Sequence, residues 1–402
     1  EKGRSVKILR NNIFTDKQES FVVAMDSTGR FSVRVPLVNT SEFYVDIERS
    51  GINTVVEPGE TYFLLHDFST GHVLFMGEDV RFQNELQAHP PLYVDGYLKK
   101  GQGTVDEFRT QMEEKYRHAV EGLSQRVEEH PNLSRRYRYF MESFGLAGLG
   151  RSMMQARFAV PDWQLPEDYV DFVRTKVWQR PPKPYTLCQN FGILMRDYIG
   201  HSSKVKDKAR GNAVFNAFKR LRQQGEISMT EEEANTVEAY RLAIKELQEK
   251  LNAEPSDSLR QQMVVEFGKR DLEQRFISLF KRFEDVLNEE VLADNIDFWK
   301  ENAESVGGDS ILCQIHLARN LYRQIDNIRK PLPDRMMAKA EREIRLEGGW
   351  DIVSREQEKY VAIQNRDLSG VGSLKLAEDV KDVTGGEALL RKLTEPYRGK
   401  LV

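Results

Sequence analysis

The spacing of apolar residues changes once along this chain, near Gly77, and that change limits what it can fold into. Before Gly77 apolar residues recur at every second position; after it they recur at three to four. Phe31, Val33 and Val35 alternate with Ser32, Arg34 and Pro36, which buries one face of a strand and wets the other. The runs SVKIL, SFVVAM, FSVRVP, EFYVDIE, NTVVEP, TYFLLHD and HVLFMG share this β-rich composition. Turn chemistry separates them: Asp26-Ser27-Thr28-Gly29, Arg49-Ser50-Gly51, Glu57-Pro58-Gly59 and Ser69-Thr70-Gly71. Short strands so spaced predict an antiparallel β-sandwich or open barrel over residues 1–80.

Past Gly77 the pattern is helical. Thr104 and Glu107 form a capping box ahead of apolar positions Val105, Phe108, Met112, Tyr116, Val120, Leu123 and Val127, and Pro131 ends that helix. Thr230 and Glu233 open a second helix with Val237, Tyr240, Ile244, Leu247 and Leu251 on one stripe, stopping at Pro255. Further helices are expected near 132–158, 185–200, 209–224, 257–289, 309–328, 333–346 and 350–365. In the 309–328 helix the stripe reads Ile311, Ile315, Ala318, Tyr322 and Ile325. Residues 159–184, with RPPKP at 180–184, read as an irregular connector. The expected fold class is α+β: the β part, then a mostly α-helical domain over 81–380.

Composition excludes some functions. Lys plus Arg total 59 against 63 Asp plus Glu, a net charge of −4, which argues against a general nucleic-acid binder. No apolar run approaches the length of a membrane span, and EKGRSVKILR has no apolar signal region. Cys188 and Cys313 are far apart in helical contexts and read as buried free thiols; sequence does not decide whether they pair. C-x-x-C, H-E-x-x-H and paired zinc spacings are absent, so no catalytic, cofactor-binding or metal-ligating residue is assigned.

Other stretches invite chemical readings and are outweighed by structural ones. GLAGLG at 145–150 follows helical sequence rather than a strand, so it reads as close helix packing and not as a phosphate loop. In RRYRYF at 135–140, a helix would bury Tyr137, Phe140, Met141 and Phe144 and leave the arginines in solvent. Glu284, Asp285, Glu289 and Glu290 lack the calcium-loop spacing and read as a wet helix face. His66 and His72 bracket a hairpin without a third ligand and read as solvent-exposed strand residues. His316 reads as a boundary residue of its helix.

Three stretches together carry a resemblance. DSTGRFSVRVPL at 26–37, VEPGETYFLL at 56–65 and FMGEDVRFQNEL at 75–86 resemble the N-terminal β domain of TlpA-like thiol–disulfide oxidoreductases. GGDSILCQIHLARNLYRQIDNIRKPLPDRMMAKAEREI is similar to the later helical part of that layout, and GGEALLRKLTEPYRGKLV to the entry of its thioredoxin domain. The resemblance implies that 381–402 begin a thioredoxin-like domain whose Trp-Cys-x-x-Cys lies beyond Val402. No catalytic residue then falls on this chain, and neither Cys188 nor Cys313 matches the family pair. It further implies an accessory region of an exported oxidoreductase in the periplasm or cell envelope of a Gram-negative bacterium. That region would position the redox domain and offer a surface to disulfide-bonded protein substrates or partners. Nucleic acid is not expected as a partner; anchoring to the membrane through a removed N-terminal signal is compatible with this layout. The alternative is a cell-surface module binding a glycan or peptide without redox activity.

Overall fold

Four strands form one antiparallel sheet in the order β2-β1-β3-β4, where β1 is Ser5–Asn12, β2 Lys17–Ala24, β3 Ser41–Ile47 and β4 Ser50–Val56. The computed structural model describes residues 5–47, 50–180, 183–185, 187–202 and 213–366. Alternation sets the register: Val6 lies opposite Ile47 and Ile8 opposite Val45, so Val6, Ile8, Phe43, Val45, Ile47 and Ile52 share the buried face. A hairpin of β5 (Phe63–His66) and β6 (Val73–Met76) covers that face, with Phe75 in the shared core and Tyr62, Leu64 and Val73 packed around it. Gly59, at φ +81°, supplies the left-handed turn between β4 and β5.

The expected strand over FSVRVP does not join a ladder. Phe31, Val33, Val35 and Leu37 do pack against the sandwich core. The alternation therefore identified the buried face, but no strand bridge forms along 31–37.

Thirteen α-helices follow among the described residues, giving the α+β class expected from the sequence. The first, α1 (Arg81–Ala88), lies across β4 and β6. Then come α2 (Val105–Glu129), α3 (Arg135–Gln155) and α5 (Gln189–Ser202), with the short α4 (Glu167–Val173) between the last two. The capping box at Thr104 is present in full: its side chain accepts from the Glu107 amide, and the Glu107 carboxylate accepts from the Thr104 amide at 2.8 Å. The 159–184 stretch is less irregular than expected. It holds α4 and a π turn over Arg174–Trp178, which bury Tyr169, Val173, Val177 and Trp178.

A second lobe is built by α6 (Ala213–Gln224), α7 (Glu231–Ala253), α8 (Asp257–Gly268) and α9 (Asp271–Arg282) around Phe215, Phe218, Tyr240 and Phe267. Tyr240 stacks on Phe276 with ring centroids 4.2 Å apart. The single helix expected over 257–289 is in fact α8, α9 and the start of α10 (Glu284–Ser305). Gly268 ends the first, Arg270 enters extended geometry before the second, and Phe283 leaves helical geometry before the third.

Helix α10 belongs to both cores. Leu287 packs in the second lobe, while Ile296, Trp299 and Ala303 sit in the main body. The main body is completed by α11 (Ser310–Ile328), α12 (Asp334–Glu343) and α13 (Glu347–Gln364). On α11 the expected stripe is rotated: Ile311 is exposed, and Leu312, Ile315, Ala318, Arg319, Leu321 and Ile325 are buried. Residues 381–402, expected to begin a thioredoxin-like domain, lie outside the described residues.

Candidate functional site

The stretch 75–86, one of those that carry the resemblance, lies where the β5–β6 hairpin joins the helices. Gly77, at φ +145°, ends β6, and a Cβ there would lie 3.1 Å from the Thr61 carbonyl oxygen. Seven residues on, the Asn84 side chain brackets the backbone of Phe75. Its Oδ1 accepts from the Phe75 amide at 2.8 Å, and its Nδ2 donates to the Phe75 carbonyl at 2.9 Å. The Asn84 amide thus serves β6 as a neighbouring strand would. Glu85 accepts from the backbone amide of Ser134 at 2.9 Å and from its hydroxyl, which ties α1 to the start of α3. Leu86 is buried in the main core. From the other face of α1, Gln83 and Gln87 donate to the carbonyls of Val55 and Asn53 and close the edge of β4. Arg136 on α3 completes the junction by pairing with both Glu57 and Asp79.

A second clamp holds the β1–β2 turn. Ile13 and Phe14 insert into the helical core, and Phe14 packs against Gly348 and Gly349 at the start of α13. Arg319, 2% exposed, donates to the Ile13 carbonyl at 2.8 Å and to the Gly192 carbonyl at 3.1 Å, with Asp16 Oδ1 at 3.8 Å. Arg196 bridges Asp16 and Asp197 at 2.8 and 2.9 Å, and Arg157 reaches Asp197 at 3.0 Å. Burial pulls the Arg319 guanidinium down to about 10, opposed by Asp16, so the side chain stays charged at neutral pH. Sequence reading missed this residue, because an arginine inside an apolar stripe gives no signal until its carbonyl partners are known.

The thiols are not placed for exchange chemistry. Both are free and buried, as the sequence predicted. Burial, and then the nearby Glu42 carboxylate, push Cys188 well up; burial, then Glu304 and Asp309, push Cys313 up to about 11. A thiol held protonated is a poor nucleophile.

The remaining candidates resolve as packing or ion pairs. Gly145, Gly148 and Gly150 lie inside α3, where a Cβ on Gly148 would come within 2.5 Å of the Val94 carbonyl oxygen. Tyr137, Phe140, Met141 and Phe144 are buried as expected. Glu290 departs from the wet face predicted for its cluster: it is buried and accepts from Arg220 at 2.8 Å. His66 is half-buried, 3.1 Å from the Ser50 hydroxyl, while His72 is exposed. His316 is pulled down to about 4 by burial and by Arg319 and Arg323. Among the described residues, no group of three or more His, Cys, Asp or Glu side chains is arranged to hold a metal ion.

Two clefts flank the clamps. One, of 310 Å³, lies between Glu57, Arg136, Tyr139 and Lys183; the other, of 440 Å³, lies between Arg10, Glu19, Asn39 and Arg355. In the second, Arg10 and Asn12 are already engaged by the Glu19 carboxylate. No helix among the described residues is long and apolar enough to cross a membrane. Comparison with protein-family models, curated proteins and solved structures finds no match to this chain.

Proposed function

We propose that this chain is the accessory region of a TlpA-like thiol–disulfide oxidoreductase of the Gram-negative cell envelope. Its β layer and helical body act as one support that positions a redox domain and offers a surface to a substrate or partner. The observation that carries this reading is the junction at Asn84. The Gly-x-x-x-x-x-x-Asn-Glu-Leu stretch, one of the most specific parts of the resemblance, joins the hairpin to α1 and α3. The motif's physical work is coupling rather than chemistry, which suits a positioning role. The buried, protonated thiols suit it too, since they would not compete with a low-pKa cysteine pair supplied by a neighbouring domain.

The test is to read the frame downstream of Val402 and assay the complete product for insulin reduction beside the 402-residue chain. A Trp-Cys-x-x-Cys motif, with turnover by the complete product alone, supports the proposal. A stop codon within a few residues of Val402 overturns it in favour of a binding module without redox activity.

A further inference from the structure

The β5–β6 hairpin has two faces, and among the described residues only one is packed into a core. Leu64, Phe75 and Val73 point into the sandwich core. The intervening residues form two cross-strand pairs on the outer face, Phe63 with Met76 and Leu65 with Leu74. They are 61, 43, 54 and 36% exposed in that order, although strand alternation would normally put polar residues there. Single exposed apolar side chains are ordinary, but four in adjacent cross-strand pairs make a continuous apolar surface. Asn84 and α1 fix the hairpin from behind, so this surface is presented by a supported element.

The surrounding charge identifies what fits it. Between Gly51 and Val80 the sequence carries Glu57, Glu60, Asp67, Glu78 and Asp79 and no lysine or arginine. Arg136 engages Glu57 and Asp79. Glu60 and Glu78 remain at the open end of the hairpin, and Asp67 at its turn, all exposed. The extended segment 31–37, which packs on the same core, contributes a single cation, Arg34. The rim is therefore net acidic. It would repel an anionic lipid surface and an identical face on a second copy, and attract cations.

We infer that the outer face of the β5–β6 hairpin is a docking surface for a basic, extended peptide segment of another protein, with alternating apolar side chains flanked by Lys or Arg. Four strand residues span about 13 Å, which matches about four residues of an extended partner. The inference deepens only the partner-surface part of the proposed function and needs no redox domain.

The experiment is selection of random 12-residue peptides displayed on phage against the 402-residue chain, with a Phe63→Ser/Leu65→Ser variant as counter-target. All the changes lie on exposed positions, and circular dichroism checks that the variant is folded. Enriched peptides should carry Lys or Arg around alternating apolar residues. They should bind the variant at least about tenfold more weakly, as loss of central apolar anchors does. A second variant, Glu60→Gln/Glu78→Gln, should weaken the same peptides and flatten their salt dependence. No variant-sensitive enrichment, or enrichment of acidic or uncharged peptides, overturns the inference. Self-association in sedimentation that the Ser variant abolishes overturns it in favour of a second copy. Cosedimentation with phosphatidylglycerol vesicles that the Ser variant abolishes overturns it in favour of a lipid surface. Failure here leaves the insulin-reduction test untouched, and failure there leaves this one untouched.

Discussion

Arg319 donates to the carbonyl oxygen of Ile13 at 2.8 Å across a sequence separation of 306 residues. That bond joins the first turn of the β layer to the centre of α11, and a second donation to Gly192 brings α5 into the same cluster. Replacing Arg319 with Ala removes the side-chain donor to the buried carbonyls of Ile13 and Gly192, while Asp16 keeps its pair with Arg196. Leaving a buried acceptor without its donor costs about 1–3 kcal/mol. Urea unfolding of Arg319→Ala should show a drop of that order, while Arg329→Ala, on an exposed residue at the end of α11, should stay within about 0.5 kcal/mol of the parent.

The glycines of α3 give a paired prediction. A Cβ on Gly148 would lie 2.5 Å from a backbone oxygen, whereas one on Gly145 would make ordinary contacts at 3.7 Å. Gly148→Ala should therefore destabilise by about 1–3 kcal/mol, the usual cost of overpacking. Gly145→Ala should be neutral or stabilise by up to about 1 kcal/mol, because Ala suits a helix interior better. Thermal melts of the two variants check this. Equal effects would show that the glycines are not kept for close packing.

His316 makes stability depend on pH. Its folded pKa of about 4 lies below its ordinary value of 6.5, so the unfolded chain takes up a proton that the folded chain refuses. The neutral imidazole therefore costs nothing above pH 6.5, and stability falls as pH drops from 6.5 towards 4. The loss is about 3 kcal/mol at most for this residue, at 1.36 kcal/mol per unit. His316→Gln should remove that part of the slope in urea titrations at pH 7 and pH 4.5. His89 and His201 are also pulled down by burial and contribute in the same direction, so some slope should remain.

The thiols should be silent in the native state. With its pKa at about 11, Cys313 is thiolate at neutral pH in only on the order of one molecule in ten thousand. A chromogenic disulfide reagent should label neither cysteine within minutes at pH 7 and both once the chain is unfolded. Rapid labelling of one thiol in the folded chain would contradict the burial described above.

Sequence reading recovered features whose signal is local. The period change at Gly77, both capping boxes and the burial of Tyr137, Phe140 and Phe144 each follow from residues within a few turns of one another. It failed where the deciding partner is remote. Phe31, Val33 and Val35 alternate as a strand does, yet ladder pairing depends on another segment's backbone. The breaks around Gly268 and Phe283 arise as α8, α9 and α10 fold back on one another in the second lobe. Glu290 looked like part of a wet face because its partner, Arg220, is 70 residues away. Arg319 was invisible for the same reason. The bonds from Asn84 to Phe75 were invisible too, because nothing in the sequence ties that side chain to a strand nine residues back.

Under the proposed function the β layer and the helical body form one support. Native-state hydrogen exchange in increasing urea tests it most directly, read at the amides of Val45 in β3 and Ile315 in α11. Both should open with the same free energy and the same urea dependence, and Arg319→Ala should lower both together. A lower opening free energy at Val45, unchanged by Arg319→Ala, would show a sheet that unfolds independently of the body and would contradict the claim.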